Sequence, residues 1–145
     1  MARAIPTYEI LLVEDNPGDV LLTQEAFREG GFSHRLSVAE DGEQALRFLR
    51  REGTFRNAPQ PHIILLDLNL PKKDGRELLA EVKNDPLLRQ IPVIVLTTSE
   101  ADQDISRAYK LHANCYLTKP IQMEAFLNMI KSVEEFWLNV VRLPV

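Results

Sequence analysis

The chain has 145 residues, 45% hydrophobic and 26% charged, and its 17 basic and 21 acidic residues give a net charge of -4. That is one ordinary domain, long enough to bury roughly 70% of its unfolded surface. No Lys/Arg run forms a footprint for a phosphate backbone, and no apolar run nears the ~18 residues of a membrane span. Met1–Thr7 has neither the basic start nor the apolar core of a signal peptide. With neither nucleic acid nor membrane indicated, a soluble cytoplasmic protein is expected. The sole cysteine, Cys115, cannot form an internal disulfide and reads as a small buried hydrophobe suited to a reducing compartment.

Short apolar runs alternate with amphipathic stretches along the chain. Ile10–Val13 reads as the first strand, and Val20, Leu21, Ala26 and Phe27 mark the helix after it. Leu36–Val38 is the second strand, followed by a helix carrying Ala45, Leu46, Phe48 and Leu49. Gly53–Pro61, the longest irregular stretch, reads as a loop anchored by Phe55, Pro59 and Pro61. Ile63–Leu68 and then Leu78, Leu79 and Val82 make the third strand and helix, and Val93–Leu96 is the fourth strand. Ile105, Ala108, Tyr109 and Leu111 give the faintest helical pattern. Cys115–Leu117 is the fifth strand, and the last helix runs from about Met123 to Val141.

Turn signals punctuate the joins: Asn16-Pro17-Gly18, Asp41-Gly42, Asp74-Gly75, Asn84-Asp85-Pro86 and Lys119-Pro120. The runs IILLDL and VIVL are almost continuously apolar, as strands are when helices cover both sheet faces. Five strands alternating with five helices predict a doubly wound α/β domain, a (βα)5 sandwich with a parallel sheet and right-handed crossovers.

Three carboxylates carry the chemistry. Glu14-Asp15 follows the first strand and Asp67 ends the third. A parallel sheet presents all its carboxyl ends at one edge, where ligands bind in open α/β folds. If strands 1 and 3 are neighbours, Glu14, Asp15 and Asp67 converge, and like charges so gathered need compensation. Mg2+ suits them, since it takes oxygen ligands from one or two carboxylates and keeps several waters. Glu14 or Asp15 alone reads as a helix cap. Asp67 is harder to dismiss, because an idle carboxylate in an apolar strand is costly. Lys119-Pro120 follows the fifth strand; a lone lysine there is a surface residue, but an X-Pro bond in cis would aim it inward at an anion on the cluster. Thr97-Thr98-Ser99 closes the fourth strand, where a hydroxyl can donate to a phosphoryl oxygen or merely end the strand. His34, His62 and His112 are scattered, and no zinc or nucleotide-loop signature is present.

Taken together, ILLVEDN, IILLDLNLPKKDG, VIVLTTS and CYLTKP stand in the order and spacing of the receiver domain of two-component response regulators, which the chain resembles from Glu9 to about Phe136. The resemblance implies the strand order 2-1-3-4-5. It implies that Asp67 accepts the phosphoryl group, that Asp15 ligates Mg2+ directly and Glu14 through water, and that Asn69 offers the metal its backbone carbonyl. By the same likeness, Lys119 pairs with the phosphoryl oxygens, Thr97 hydrogen-bonds them in the active state, and Tyr116 is the aromatic switch. The switched face is then helix 4, strand 5 and helix 5. The strings EDNPGDVLLTQEAF and FWLNVVRLP look like the small regulators paired with phytochromes, so the implied partner is a sensor histidine kinase of phytochrome type.

In the last helix, Met123, Phe126, Leu127, Ile130, Val133 and Trp137 make one apolar stripe. Phe136, Val140 and Val141 widen it in an extension from about 136. Phe136, Trp137, Val140 and Val141 therefore make a partner face, expected to build a homodimer. No DNA-binding segment is expected after Val145, and output is expected through an unknown downstream protein or onward phosphotransfer. The expected role is a phosphoacceptor signalling protein, not an enzyme, beyond its own phosphotransfer and autodephosphorylation. Two rivals stand beside it. A haloacid-dehalogenase-type phosphatase wants an aspartate two residues after its nucleophile, where Asn69 stands. A degenerate receiver acting only as a binding module would lack the acceptor or the lysine.

Overall fold

Each of the first three helices is opened by a side-chain cap that turns the chain out of the extended conformation left by the preceding strand and its loop. At Asn16, the side-chain Oδ1 accepts from the Asp19 N–H at 3.1 Å, and Pro17 supplies the fixed φ suited to a first helical position. At Asp41, Oδ1 accepts from the Gln44 N–H at 2.8 Å. At Asp74, Oδ1 accepts from the Arg76 N–H at 2.7 Å. Three of the turn signals in the sequence are thus helix N-caps.

The computed structural model describes residues 7–29, 33–68, 70–97, 115–119, 121–122, 124–126 and 128, and of residues 97, 115, 116 and 118 the backbone alone. Its strands are β1 (Tyr8–Val13), β2 (His34–Ala39), β3 (Ile63–Asp67), β4 (Val93–Thr97) and β5 (Cys115–Thr118). Its helices are α1 (Pro17–Glu29), α2 (Gly42–Leu49) and α3 (Gly75–Asn84). The five strands form one sheet in the order β2-β1-β3-β4-β5, every pair parallel. The α/β architecture and strand order expected from the sequence are both found. The fourth helix lies outside the described residues. Of the fifth, residues 124–126 and 128 are described and helical.

The period of two along each strand divides the core. Leu11, Val13, Ile64, Leu66, Val93 and Val95 face α2 and α3, packing with Phe48, Leu49, Leu78, Leu79 and Val82. Ile10, Leu12, Ile63, Leu65, Ile94, Leu96 and Leu117 face the other way, against Phe27 of α1 and Phe126. The rings of Phe27 and Phe126 lie 4.6 Å apart, tilted by 36°. On α1, Thr23 and Phe27 are buried, whereas Leu21 and Leu22 are exposed. Leu21 belongs to the helical pattern but not to its inner face. The Gly53–Pro61 loop is anchored by Phe55, whose ring meets Phe48 at 5.6 Å, and by buried Pro61. Pro59 is exposed and anchors nothing. No helix among the described residues is long and apolar enough to cross a membrane.

Candidate functional site

The sheet register brings the charged residues to one level. Val13 of β1 pairs with Leu66 of β3, so Glu14 and Asp67 are the next residues on adjacent strands. Asp67 pairs with Leu96 of β4, and Thr97 pairs with Thr118 of β5, directly before Lys119. The alternation of faces then sorts the side chains. Leu12, Leu65 and Leu117 all belong to the α1 side of the core. Two residues beyond each stand Glu14, Asp67 and Lys119, carrying that same face out to the carboxyl edge of the sheet.

There they meet. The Lys119 ammonium lies 2.6 Å from Glu14 Oε1, 2.7 Å from Asp67 Oδ2 and 3.1 Å from Asp19 Oδ2. Glu14 is essentially fully buried, Asp67 nearly so, and Asp19 half-exposed at the first turn of α1. Burial pushes the Glu14 carboxyl up to about 7; its Lys119 hydrogen bond opposes the rise, and neighbouring Asp67 adds to it. Burial pulls Lys119 down, but its bonds to Asp67 and Glu14 outweigh that and hold it above the ordinary lysine range. The lysine is therefore a fixed cation at the Asp67 carboxylate.

Carboxylate oxygens of Glu14, Asp15 and Asp67 all lie within 4.8 Å of one another, with Asp15 the exposed member. An all-oxygen, all-carboxylate donor set suits a hard divalent cation and disfavours a soft one. Lys119 alone leaves these acids under-neutralised, since it also faces Asp19. The residue set thus fits the metal expected from the sequence.

The β3–α3 turn presses on Asp67 from behind. Gly75 N–H donates to the Leu68 carbonyl at 3.1 Å. A Cβ on Gly75 would stand 2.5 Å from the Asp67 carbonyl oxygen and 2.6 Å from Leu68 Cα. Glycine is required here for space. Lys72 takes a positive φ of 60° in the same turn, with its ammonium 3.6 Å from Asp41.

Of the residues singled out from the sequence, Glu14, Asp15, Asp67 and Lys119 are brought together. Thr97 and Tyr116 have the expected strand positions in backbone, Thr97 at the carboxyl end of β4 and Tyr116 opposite Val95; their side chains lie outside the described residues. Asn69, Thr98, Ser99, Pro120, Phe136, Trp137, Val140 and Val141 also lie outside them, as does the Cys115 side chain. Asp19 is the residue that sequence reasoning missed. The sequence marks it only as the third helical residue after the Asn16 cap, an ordinary place for an acid; the fold sets it over the edge where Lys119 emerges.

Residues 10–131 match the model of the response regulator receiver domain, and the chain belongs to that family. It is 49% identical over 139 residues to response regulator Rcp1 of Synechocystis sp., an alignment covering 96% of this chain and 95% of that one. The crystal structure of the Mn2+-bound form of Rcp1 matches with a TM-score of 0.74 at 48% identity, over 95% of this chain and 99% of that one. The structure of the phosphorylated cyanobacterial phytochrome response regulator RcpA matches with a TM-score of 0.77 at 48% identity, over 97% and 100%. The chain is thus a two-component signalling receiver, homologous to phytochrome response regulators. Neither rival reading gains support, since Asp67 ends the third strand and its lysine is present and paired with it.

Proposed function

We propose that this chain takes a phosphoryl group onto Asp67 from a sensor histidine kinase of phytochrome type. The observation that carries the reading is the Lys119 ammonium 2.7 Å from Asp67 Oδ2, beside three converging carboxylates. In the step itself, an Asp67 carboxylate oxygen attacks phosphorus in line. The O–P bond forms as the N–P bond of the phosphohistidine breaks. The kinase imidazole, protonated on its other nitrogen, leaves neutral with the bonding pair. Such transfer needs positioning and charge neutralisation more than covalent help. Lys119 supplies one fixed charge in a partly desolvated cleft, where it is worth most. Mg2+ would be held by Asp15 and Asp67 directly, by the Asn69 backbone carbonyl, and by Glu14 through water. Bound there, it supplies further neutralisation of the phosphoryl oxygens. That response regulator Rcp1 has an Mn2+-bound form supports a divalent ion as the cofactor.

Water then attacks the acyl phosphate, the O–P bond breaks, and inorganic phosphate leaves Asp67 as carboxylate. The catalysis ends with that self-reset: the protein is a signalling switch. Thr97 moves to the phosphoryl oxygens, Tyr116 fills the vacated space, and the face of helix 4, strand 5 and helix 5 changes shape for a downstream protein. Tyr116→Ala retaining full phosphate-dependent output would remove the switch. The protein is cytoplasmic, one receiver over 1–145 with an apolar extension from about 136. Phe136, Trp137, Val140 and Val141 pair two copies as a homodimer. Sedimentation that finds only monomer, with and without a phosphoryl analogue, rejects the dimer.

Intact mass after incubation with Mg2+ and a small phosphodonor tests the central claim. One added phosphoryl group in wild type, absent in Asp67→Asn, is the expected result. No adduct in a folded, Mg2+-supplied wild type at any early time would leave a binding module instead.

A further inference from the structure

We propose that Asp19 is a positioning residue that competes with the incoming phosphoryl group for Lys119, and so makes the site resist small dianionic phosphodonors. The inference rests on Asp67 being the acceptor. Lys119 has one ammonium and three carboxylates around it, from Glu14, Asp19 and Asp67. Glu14 and Asp67 are buried, but Asp19 comes from a different element and stands on the solvent side, 38% exposed. Because Asp19 Oδ2 and Asp67 Oδ2 contact the same nitrogen at 3.1 Å and 2.7 Å, the two oxygens are no farther apart than those two contacts laid end to end.

A phosphoryl group arriving at Asp67 from solvent must enter beside that carboxylate. It meets a like charge and must draw the lysine from an existing partner. Both effects scale with the charge of the donor, and both act at a partly exposed site where added salt screens them. Asp19 is held in this place by its own backbone: its N–H is taken by Asn16 Oδ1 at 3.1 Å, and its carbonyl accepts from Thr23 Oγ1 at 2.9 Å. The side chain is left to face Lys119. A docked kinase brings its phosphohistidine with binding contacts that offset the repulsion, which a free small donor lacks.

The test compares wild type, Asp19→Asn and Asp19→Glu as full chains with Mg2+. Phosphorylation is followed by intact mass against the concentration of acetyl phosphate, and of phosphoramidate, which carries less negative charge at neutral pH. The expected result is an acetyl phosphate half-saturation about three- to tenfold lower in Asp19→Asn, the size set by one charge a few Å from the site. The maximal rate stays near wild type, the gain with phosphoramidate is smaller, and the difference shrinks at high salt. Asp19→Glu, which keeps the charge, returns toward wild type. A change in helix stability alone would not distinguish the donors. An unchanged or weaker acetyl phosphate response in Asp19→Asn, or an equal gain with both donors, overturns the proposal while leaving Asp67 as acceptor. Absence of any adduct in wild type instead overturns the acceptor assignment itself.

Discussion

Glu14 and Lys119 meet at 2.6 Å although β3 and β4 separate their strands in the sheet. The lysine crosses the strand ends to reach a carboxyl that burial has driven up to about 7. Removing one partner of such a pair leaves the other buried and uncompensated, which costs more than the pair itself is worth. Lys119→Met is therefore expected to lower unfolding stability by about 2–4 kcal/mol at neutral pH in EDTA, and to abolish the adduct on Asp67. Chemical denaturation and intact mass on the same sample check it. A variant as stable as wild type would mean that the cluster protonates at no cost.

Asp15 is the residue at which metal binding and folding can be tested apart. It is the exposed member of the carboxylate group, so its replacement leaves little buried charge uncompensated. Wild type is expected to gain stability with added Mg2+, by about 1–3 kcal/mol at saturating concentrations, because an ion that binds only the folded state stabilises it by mass action. Asp15→Asn should unfold near the metal-free wild type and lose most of that gain. Thermal melts across a Mg2+ series decide it, and an undiminished gain in the variant would place the ion elsewhere.

The contrast between Asp67 and Asp19 shows how far the sequence could be read. All five strands were legible because their apolar runs are short and bounded, whereas their order came only from the resemblance to receiver domains. Asp67 was legible because a carboxylate closing IILLD has no other good reason to be there. Asp19 was not, since one acidic residue in a helix's first turn is what the helix dipole favours anyway. Only the placement of α1 over the edge, set by the Asn16 cap, turns it toward Lys119. The packing need for Gly75 was also hidden: Asp74-Gly75 reads as a turn pair, whereas the glycine serves the close approach to the Asp67 carbonyl.

Gly75→Ala tests that approach. A methyl group 2.5 Å from the Asp67 carbonyl oxygen is inside any tolerated contact, and the obstacle is backbone, which cannot swing aside. The expected cost is about 1–3 kcal/mol, as for other overpacked sites. The shift falls on the peptide of Asp67, the proposed acceptor, so the phosphorylation rate should drop as well. Denaturant midpoint and adduct formation measured together check both. A variant with wild-type stability and rate would show that the turn yields freely.

Lys83 carries the pH prediction. Its ammonium, at the end of α3, donates to the carbonyls of Arg89 at 3.2 Å and Ile91 at 3.0 Å, tying the helix to the chain that leads into β4. Burial lowers its pKa from 10.5 to about 8. Below about 8 the group is charged in both folded and unfolded chains, and the folded state bears the full cost of holding it half-buried. Between about 8 and 10.5 the unfolded chain binds more protons, so stability contributed by this group rises with pH. Relative to Lys83→Met, which does not titrate there, wild type should gain about 1–2 kcal/mol between about pH 7.5 and about pH 10, after allowance for partial exposure. Urea midpoints of the two proteins across that range measure it. A constant difference would mean that the two carbonyls hold the ammonium charged throughout, and that its role in joining α3 to β4 is independent of pH.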